Sequence, residues 1–295
     1  MIRARLYPFL ALSFLALLNL SGCGFAINRF TAKEDVTKTL RTQTMPHVMV
    51  ETFNGSIEVL TGDDGKVKAT VTKHASGKSQ EDAEEDLDNI EVTIGEDKDG
   101  IHVVAVPQDH NAFRNRGASV VLEVPAGAIL DLTTSNGKIA AAGEVGDVTA
   151  DSSNGSIQVE GSKGKVRLHT SNGGITVKGE SPKLNVKTSN GPITITAHKA
   201  LVEAQTSNGS IHFDGTLAEG DHSFRSSNGK LLLELPAGSS FKLDAQTSNG
   251  KVSCDFAVEG GKSGQKELVR GTVGNHADKT IKLTTSNSNI EIRKK

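Results

Sequence analysis

Along most of the chain, apolar side chains fall on every second residue, in short runs broken by a repeated tetrapeptide. Ser/Thr-Ser-Asn-Gly places its asparagine at Asn136, Asn154, Asn172, Asn190 and Asn208, always 18 residues apart. Copies at Asn228 and Asn249 follow at spacings of 20 and 21, and a divergent last copy holds Asn287. An early copy, Thr52-Phe53-Asn54-Gly55, precedes a long insertion. Six and four residues before the evenly spaced asparagines stand Leu130/Leu132, Val148/Ala150, Val166/Leu168, Leu184/Val186 and Val202/Ala204. Three and five residues after them stand Ile139/Ala141, Ile157/Val159, Ile175/Val177, Ile193/Ile195 and Ile211/Phe213. Polar residues such as Arg167, Asn185, Gln158 and Thr176 lie between.

A period of two marks strands with one buried face. Each 18-residue unit therefore reads as strand, Ser-Asn-Gly turn, strand and a second turn. Asn-Gly suits such a turn because both residues tolerate positive φ. A meander of hairpins would alternate too, but fixed spacing with unchanged in/out parity favours stacked coils, with equivalent residues about 4.8 Å apart in parallel ladders. The expected fold is all-β, a parallel β-solenoid of two-strand coils. Its structural turn ladder is Asn136, Gly137, Asn154, Gly155, Asn172, Gly173, Asn190, Gly191, Asn208 and Gly209, stacked amide on amide. Propeller blades need about 40 residues each and are excluded.

The domain is expected over 46–295, with a less regular part at 46–124 before the repeat stack at 125–295. Strands are predicted within 46–73 and at 90–95, 101–106 and 119–124. One short helix is predicted over 79–90, where Ala83, Leu87 and Ile90 share a face and the acidic first turn suits the helix dipole. The phrase Leu122-Glu123-Val124-Pro125-Ala126-Gly127 is echoed by Leu233-Glu234-Leu235-Pro236-Ala237-Gly238, so the stack is expected to restart or bend there.

The start of the chain is of another kind. Arg3 and Arg5 precede an uncharged apolar run of 15 residues, Leu6 to Leu20, too short for a spanning helix and suited to a signal peptide over 1–22. Leu20-Ser21-Gly22-Cys23 resembles the bacterial lipobox, which implies that Cys23 is lipidated and becomes the mature N-terminus. Gly24 follows it, which in a cell with two membranes implies the outer one. Residues 23–45 are expected to form a flexible tether.

With 33 basic against 35 acidic residues and a pI near 6.5, the chain lacks the basic field that a nucleic-acid partner requires. Two cysteines cannot make a disulfide framework or a four-thiolate metal site. Taken together, the signal, acidic helix, Glu-Val-Pro-Ala-Gly strand end and serial Thr-Ser-Asn-Gly-x-Ile-x-Val units resemble the bacterial domain-of-unknown-function family 4097, whose members are labelled as adhesins. That resemblance implies a β-solenoid at the cell surface and carries over no catalytic residue.

Candidate chemistry is sparse. Asp151 and His169 fall on adjacent rungs of one outward row, followed by Lys187, Gln205 and Arg225, which reads as a solvated ladder of mixed charge. Asp214 and Glu234 share another row, too few carboxylates for a calcium site. The histidines show no metal-ligand spacing; His222 falls on an inward position and reads as a core-edge residue, and Cys254 as a small buried hydrophobe. No metal, cofactor or catalytic residue is expected. The leading reading is a lipid-anchored envelope protein with a structural or adhesive role, bound to the membrane through its lipid and to an envelope glycan or another surface protein. The alternatives are a solenoid enzyme acting on polysaccharide and an envelope-stress sensory module.

Overall fold

A computed structural model describes residues 30–42, 45–109, 115–260, 267–275 and 277–295. Its strands begin with β1 (Phe30–Arg41), β2 (His47–Thr52), β3 (Ile57–Thr61), β4 (Lys66–Gly77), β5 (Ile90–Asp97), β6 (Gly100–Pro107) and β7 (Asn115–Val124), with α1 (Gln80–Asp88) between β4 and β5. The repeat supplies β8 (Ile129–Thr134), β9 (Ile139–Ala142), β10 (Val148–Ser152), β11 (Ile157–Glu160), β12 (Val166–Thr170) and β13 (Ile175–Gly179). It continues with β14 (Lys183–Thr188), β15 (Ile193–Gln205), β16 (Ile211–Leu217), β17 (Gly220–Arg225) and β18 (Leu231–Leu235). The last are β19 (Phe241–Thr247), β20 (Val252–Cys254), β21 (Leu268–Val273), β22 (Lys279–Thr285) and β23 (Ile290–Lys294).

The alternating pattern builds the solenoid it predicts. Each coil gives one strand to the sheet that enters the Ser-Asn-Gly corner and one to the sheet that leaves it. The entering sheet runs β6-β2-β8-β10-β12-β14-β15-β17-β22-β19, every step parallel. The leaving sheet runs β7-β3-β9-β11-β13-β15-β16-β18-β23-β20, again parallel throughout. β15 serves both sheets, turning through Lys199, whose φ is 52°. The core follows from register. Ile57, Ile139, Ile157, Ile175, Ile193, Ile211, Leu231 and Ile290 form one buried column, each in line with the next. Burying each such side chain contributes about 1.5–3 kcal/mol.

Coil order departs from chain order at both ends. The β2/β3 coil lies between β6/β7 and β8/β9, and the β22/β23 coil lies between β17/β18 and β19/β20. The chain must therefore step over a coil twice, from β7 to β8 and from β18 to β19. These steps are the two echoed phrases, and both use the same turn: Ala128 N–H donates to Pro125 O at 3.3 Å and Ser239 N–H to Pro236 O at 3.0 Å. The bend expected there is a climb of two rungs, roughly 10 Å rather than 5.

The N-terminal end is closed by antiparallel strands and the helix. The tether expected over 23–45 is corrected in its second half: Phe30–Arg41 is a strand, paired with β4 from Phe30 opposite Gly77 to Arg41 opposite Lys66. Ala32 is its one buried residue, so backbone pairing holds it and the hydrophobic pattern gives no sign of it. The helix forms one turn shorter than predicted, with the Ser79 hydroxyl accepting the Asp82 N–H at 3.1 Å. Ala83 and Leu87 are buried against the end of the core, and Asp86 lies 3.8 Å from Arg116, both almost fully enclosed.

His222 interrupts a buried column between Val202 and Ile281, as the inward parity anticipates. In the regular repeat Val148 N–H donates to the Lys165 carbonyl on the next coil; here Val202 N–H donates to His222 Nδ1 at 3.2 Å instead. Nε2 then carries the proton and donates to Ala218 O at 3.0 Å, so the ring is held neutral. Burial depresses its pKa below the ordinary 6.5; Lys279 adds to this, while the Ala218 carbonyl and Asp221 oppose it. His74 is lowered as well, by burial first and then by Lys33. Because the unfolded chain takes up these protons first, stability is complete above the unfolded value and falls as the pH drops below about 6.5, levelling once the folded imidazoles titrate. Thermal unfolding followed from neutral pH to mild acid should show this decline, and His222→Gln should make it shallower.

Candidate functional site

The most regular surface of the molecule is the edge formed by its Ser-Asn-Gly corners. Each asparagine Nδ2 donates to the Oδ1 of the asparagine one rung closer to the N-terminal end. Asn136 donates to Asn54, Asn154 to Asn136 at 2.6 Å, and Asn172, Asn190, Asn208 and Asn228 each to the previous one at 2.7 Å. Asn287 then donates to Asn228 at 2.7 Å and Asn249 to Asn287 at 2.8 Å, in stacking order rather than chain order. Asn54 ends the row by donating to Arg116 O at 3.3 Å. The predicted ladder of Asn136, Asn154, Asn172, Asn190 and Asn208 is thus brought together, and Asn54, Asn228, Asn249 and Asn287 extend it.

Beneath it runs a second ladder that the sequence reading missed. The hydroxyl residue two before each asparagine is buried and donates to a backbone carbonyl of the neighbouring coil, that of the turn glycine except at the two ends: Thr170 to Gly155 O at 2.9 Å, Thr188 to Gly173 O at 2.9 Å and Thr206 to Gly191 O at 3.1 Å, but Thr52 to Ala118 O and Thr247 to Ser288 O. The Thr170 and Thr206 hydroxyls also accept the N–H of their own turn glycine, Gly173 at 3.3 Å and Gly209 at 3.1 Å. The signal was a Ser or Thr at that position in every copy.

The glycines are required for a reason other than the expected one. None of Gly137, Gly155, Gly173, Gly191 and Gly209 has positive φ. A Cβ on Gly173 would lie 1.9 Å from the Gly155 carbonyl oxygen, and one on Gly155 only 1.6 Å from that of Gly137. Close approach of stacked backbones excludes a side chain. Left-handed glycines occupy the opposite corner instead, at Gly143, Gly161 and Gly179 with φ of 109°, 84° and 141°.

Elsewhere the surface is ionic. Asp151 and His169 are register neighbours, half-buried and exposed respectively, and the row continues through Lys187, Gln205 and Arg225 as predicted. Lys178 pairs with Glu160 and Lys163 with Glu180 across rungs, both at 2.9 Å. Asp214 is paired by Lys295, and Glu234 by His212 at 2.8 Å. Among the described residues no group of three His, Cys, Asp or Glu side chains could hold a metal ion. Under the second step-over lies a cavity of about 460 Å³, with Leu217, Leu235, Phe241 and Ile281 as its apolar floor and Glu219 and Lys279 at its rim. Cys254 keeps its predicted parity, opposite Ile292, but is half-buried because β20 ends the leaving sheet. Burial still pushes its thiol pKa up, helped by Asp255 against the Phe256 N–H and Lys294. Cys23 and the signal segment lie outside the described residues. No helix among those residues is long and apolar enough to cross a membrane.

The family model described as Toastrack DUF4097 matches residues 47–293, and the chain belongs to that family. Among solved structures, a proposed adhesin from Bacteroides fragilis is 11% identical, with a TM-score of 0.48, over 89% of this chain and 98% of its own. A proposed adhesin from Parabacteroides distasonis is 13% identical over 88% and 97%, with a TM-score of 0.36. A proposed lipid-binding protein from the same species is 12% identical over the same shares, also with a TM-score of 0.36. Among curated proteins none matches.

The corner contacts make a quantitative expectation. Gly173→Ala, in the middle of the stack, should cost about 3 kcal/mol from overpacking against the Gly155 carbonyl. Thr176→Ala, on the outer face of β13, should stay within about 0.5 kcal/mol. Denaturant unfolding of the two variants beside the parent checks both; equal costs would mean that backbone approach at the corner does not limit the stack.

Proposed function

We propose that the protein is a lipid-anchored protein of the cell envelope, displaying its solenoid as a structural or adhesive surface with no catalytic role. The observation that carries this reading is the asparagine row. A primary amide has two donor hydrogens and two acceptor lone pairs, and each interior rung uses one of each on its neighbours. At most rungs this leaves one donor and one acceptor for solvent, repeated about every 4.8 Å; Asn190 spends its second donor on Ser171 O at 3.4 Å. Such a surface suits many weak contacts to a polymer rich in hydroxyl or amide groups, an envelope glycan or another surface protein. Avidity from a crowded anchored array then takes the place of single-site affinity.

The anchor in this reading is Cys23. Six residues separate it from Phe30, the first residue of β1, so the chain between them spans at most roughly 25 Å in any conformation. The N-terminal end of the solenoid would be held close to the bilayer, not on a long leash.

Two measurements test the proposal. Cys23→Ala should release the protein from the detergent phase or stall its processing; an alanine variant that stays membrane-bound after signal cleavage refutes the anchor. Separately, the protein coupled to beads or vesicles should retain envelope polysaccharide that the soluble monomer does not, with no new reducing ends or unsaturated products. Product formation abolished by changing Asp151 or His169 would replace adhesion with catalysis.

A further inference from the structure

An Asn-Gly step is the sequence at which asparagine most readily modifies itself, because the next amide nitrogen can attack the side-chain Cγ and glycine has no Cβ to hinder it. The chain holds such steps at Asn54, Asn136, Asn154, Asn172, Asn190, Asn208, Asn228 and Asn249. We propose that the stacked ladder shields this series from deamidation and leaves Asn249 as the modification site of the folded protein.

Shielding acts at three points. Interior amides are fixed from both sides, since Asn154, Asn172, Asn190, Asn208 and Asn228 each donate through Nδ2 and accept through Oδ1. The attacking nitrogens are occupied: Gly155, Gly173, Gly191, Gly209 and Gly229 donate their N–H to the hydroxyls of Ser152, Thr170, Thr188, Thr206 and Ser226 at 2.8–3.3 Å. The turn glycines from Gly55 to Gly229 are also buried, away from the base that starts the reaction and the water it consumes.

Asn249 differs in the pairing of its amide and in the burial of its glycine. Its Nδ2 donates to Asn287 Oδ1 at 2.8 Å, but β19/β20 is the last coil of the stack, and among the described residues no further amide donates to its Oδ1. Gly250 alone among the eight turn glycines is only half-buried. The other outlying step, Asn54-Gly55, is covered by the β6/β7 coil, with a Cβ on Gly55 falling 1.8 Å from Ala118 O.

The chemistry needs only water. Base removes the Gly250 amide proton, and the nitrogen forms a bond to Asn249 Cγ as the Cγ–Nδ2 bond breaks. Nδ2 leaves as ammonia, taking up a proton, and a five-membered succinimide remains. Water then opens either carbonyl, giving aspartate or isoaspartate; the sum is asparagine plus water to aspartate plus ammonium. The product has lost its donor, so a carboxylate faces the Asn287 carbonyl oxygen where a hydrogen bond stood.

The full-length protein, aged in mildly alkaline buffer either native or unfolded in urea, tests this by peptide mapping of aspartate and isoaspartate at each step. In urea the eight sites should react at similar rates. In the native state Asn249 should react first, with the interior sites slower by on the order of tenfold for each hydrogen bond that must break. Native interior sites that keep pace with Asn249, or an Asn249 as protected as Asn172, would overturn the proposal. Asn287→Ala, which removes the remaining partner of Asn249, should speed it further; an unchanged rate would show that the ladder does not govern the reaction.

Discussion

The structure depends on how closely two backbones can pass at the Ser-Asn-Gly corner. Carbonyl oxygens of one coil occupy the volume in which the next coil would carry a Cβ, as at Gly155 and Gly173. That contact limits what the corner can hold: glycine follows the asparagine in every copy of the motif except the last, where Ser288 stands. Once the glycines are in line, the asparagines before them fall amide over amide and the hydroxyl residues fall under the neighbouring carbonyls. The identical in/out parity of the coils, and with it the continuous column of isoleucines and Leu231, follows from the same alignment. Hydrophobic burial supplies most of the driving force, but it would tolerate small slips along the axis that the corner forbids.

Much of this was legible in the sequence because the repeat states one coil many times. The alternation gave the strands and their inward faces, including His222 at an interior position and Asn54 as an early member of the series. What stayed hidden has two physical causes. β1 carries Lys33, Glu34, Asp35, Lys38 and Arg41 and buries little, so nothing in its side chains announces a strand; its partner is the backbone of β4. Coil order is hidden for the opposite reason. All coils but β6/β7 bear the motif in some form, and a motif so widely shared cannot say which stacks on which. The trace that remained was the Pro-Ala-Gly phrase, present where the chain steps over a rung and absent where it climbs one.

The candidate site was legible in outline and misread in mechanism. Asn-Gly suggested left-handed backbone, yet the left-handed glycines sit at the other corner, at Gly143, Gly161 and Gly179. The buried hydroxyls were passed over because Thr170 and Thr188 look like ordinary turn residues, although each bonds to backbone on two coils.

The intercalated coils at the two ends bear on how this protein comes into being and how it comes apart. A stack laid down in chain order could zip up behind its own N-terminus and peel from either end. Here the β2/β3 coil cannot be clasped on both sides until residues up to Ala142 have arrived, so a growing chain must hold its first coil half-paired while the rest emerges. Once closed, the arrangement reverses the usual weakness of linear repeats. A tug on the β2/β3 or the β22/β23 coil must break a ladder above and a ladder below, so the load is shared as shear across two neighbours, whereas β1, paired with β4 alone, can part by itself.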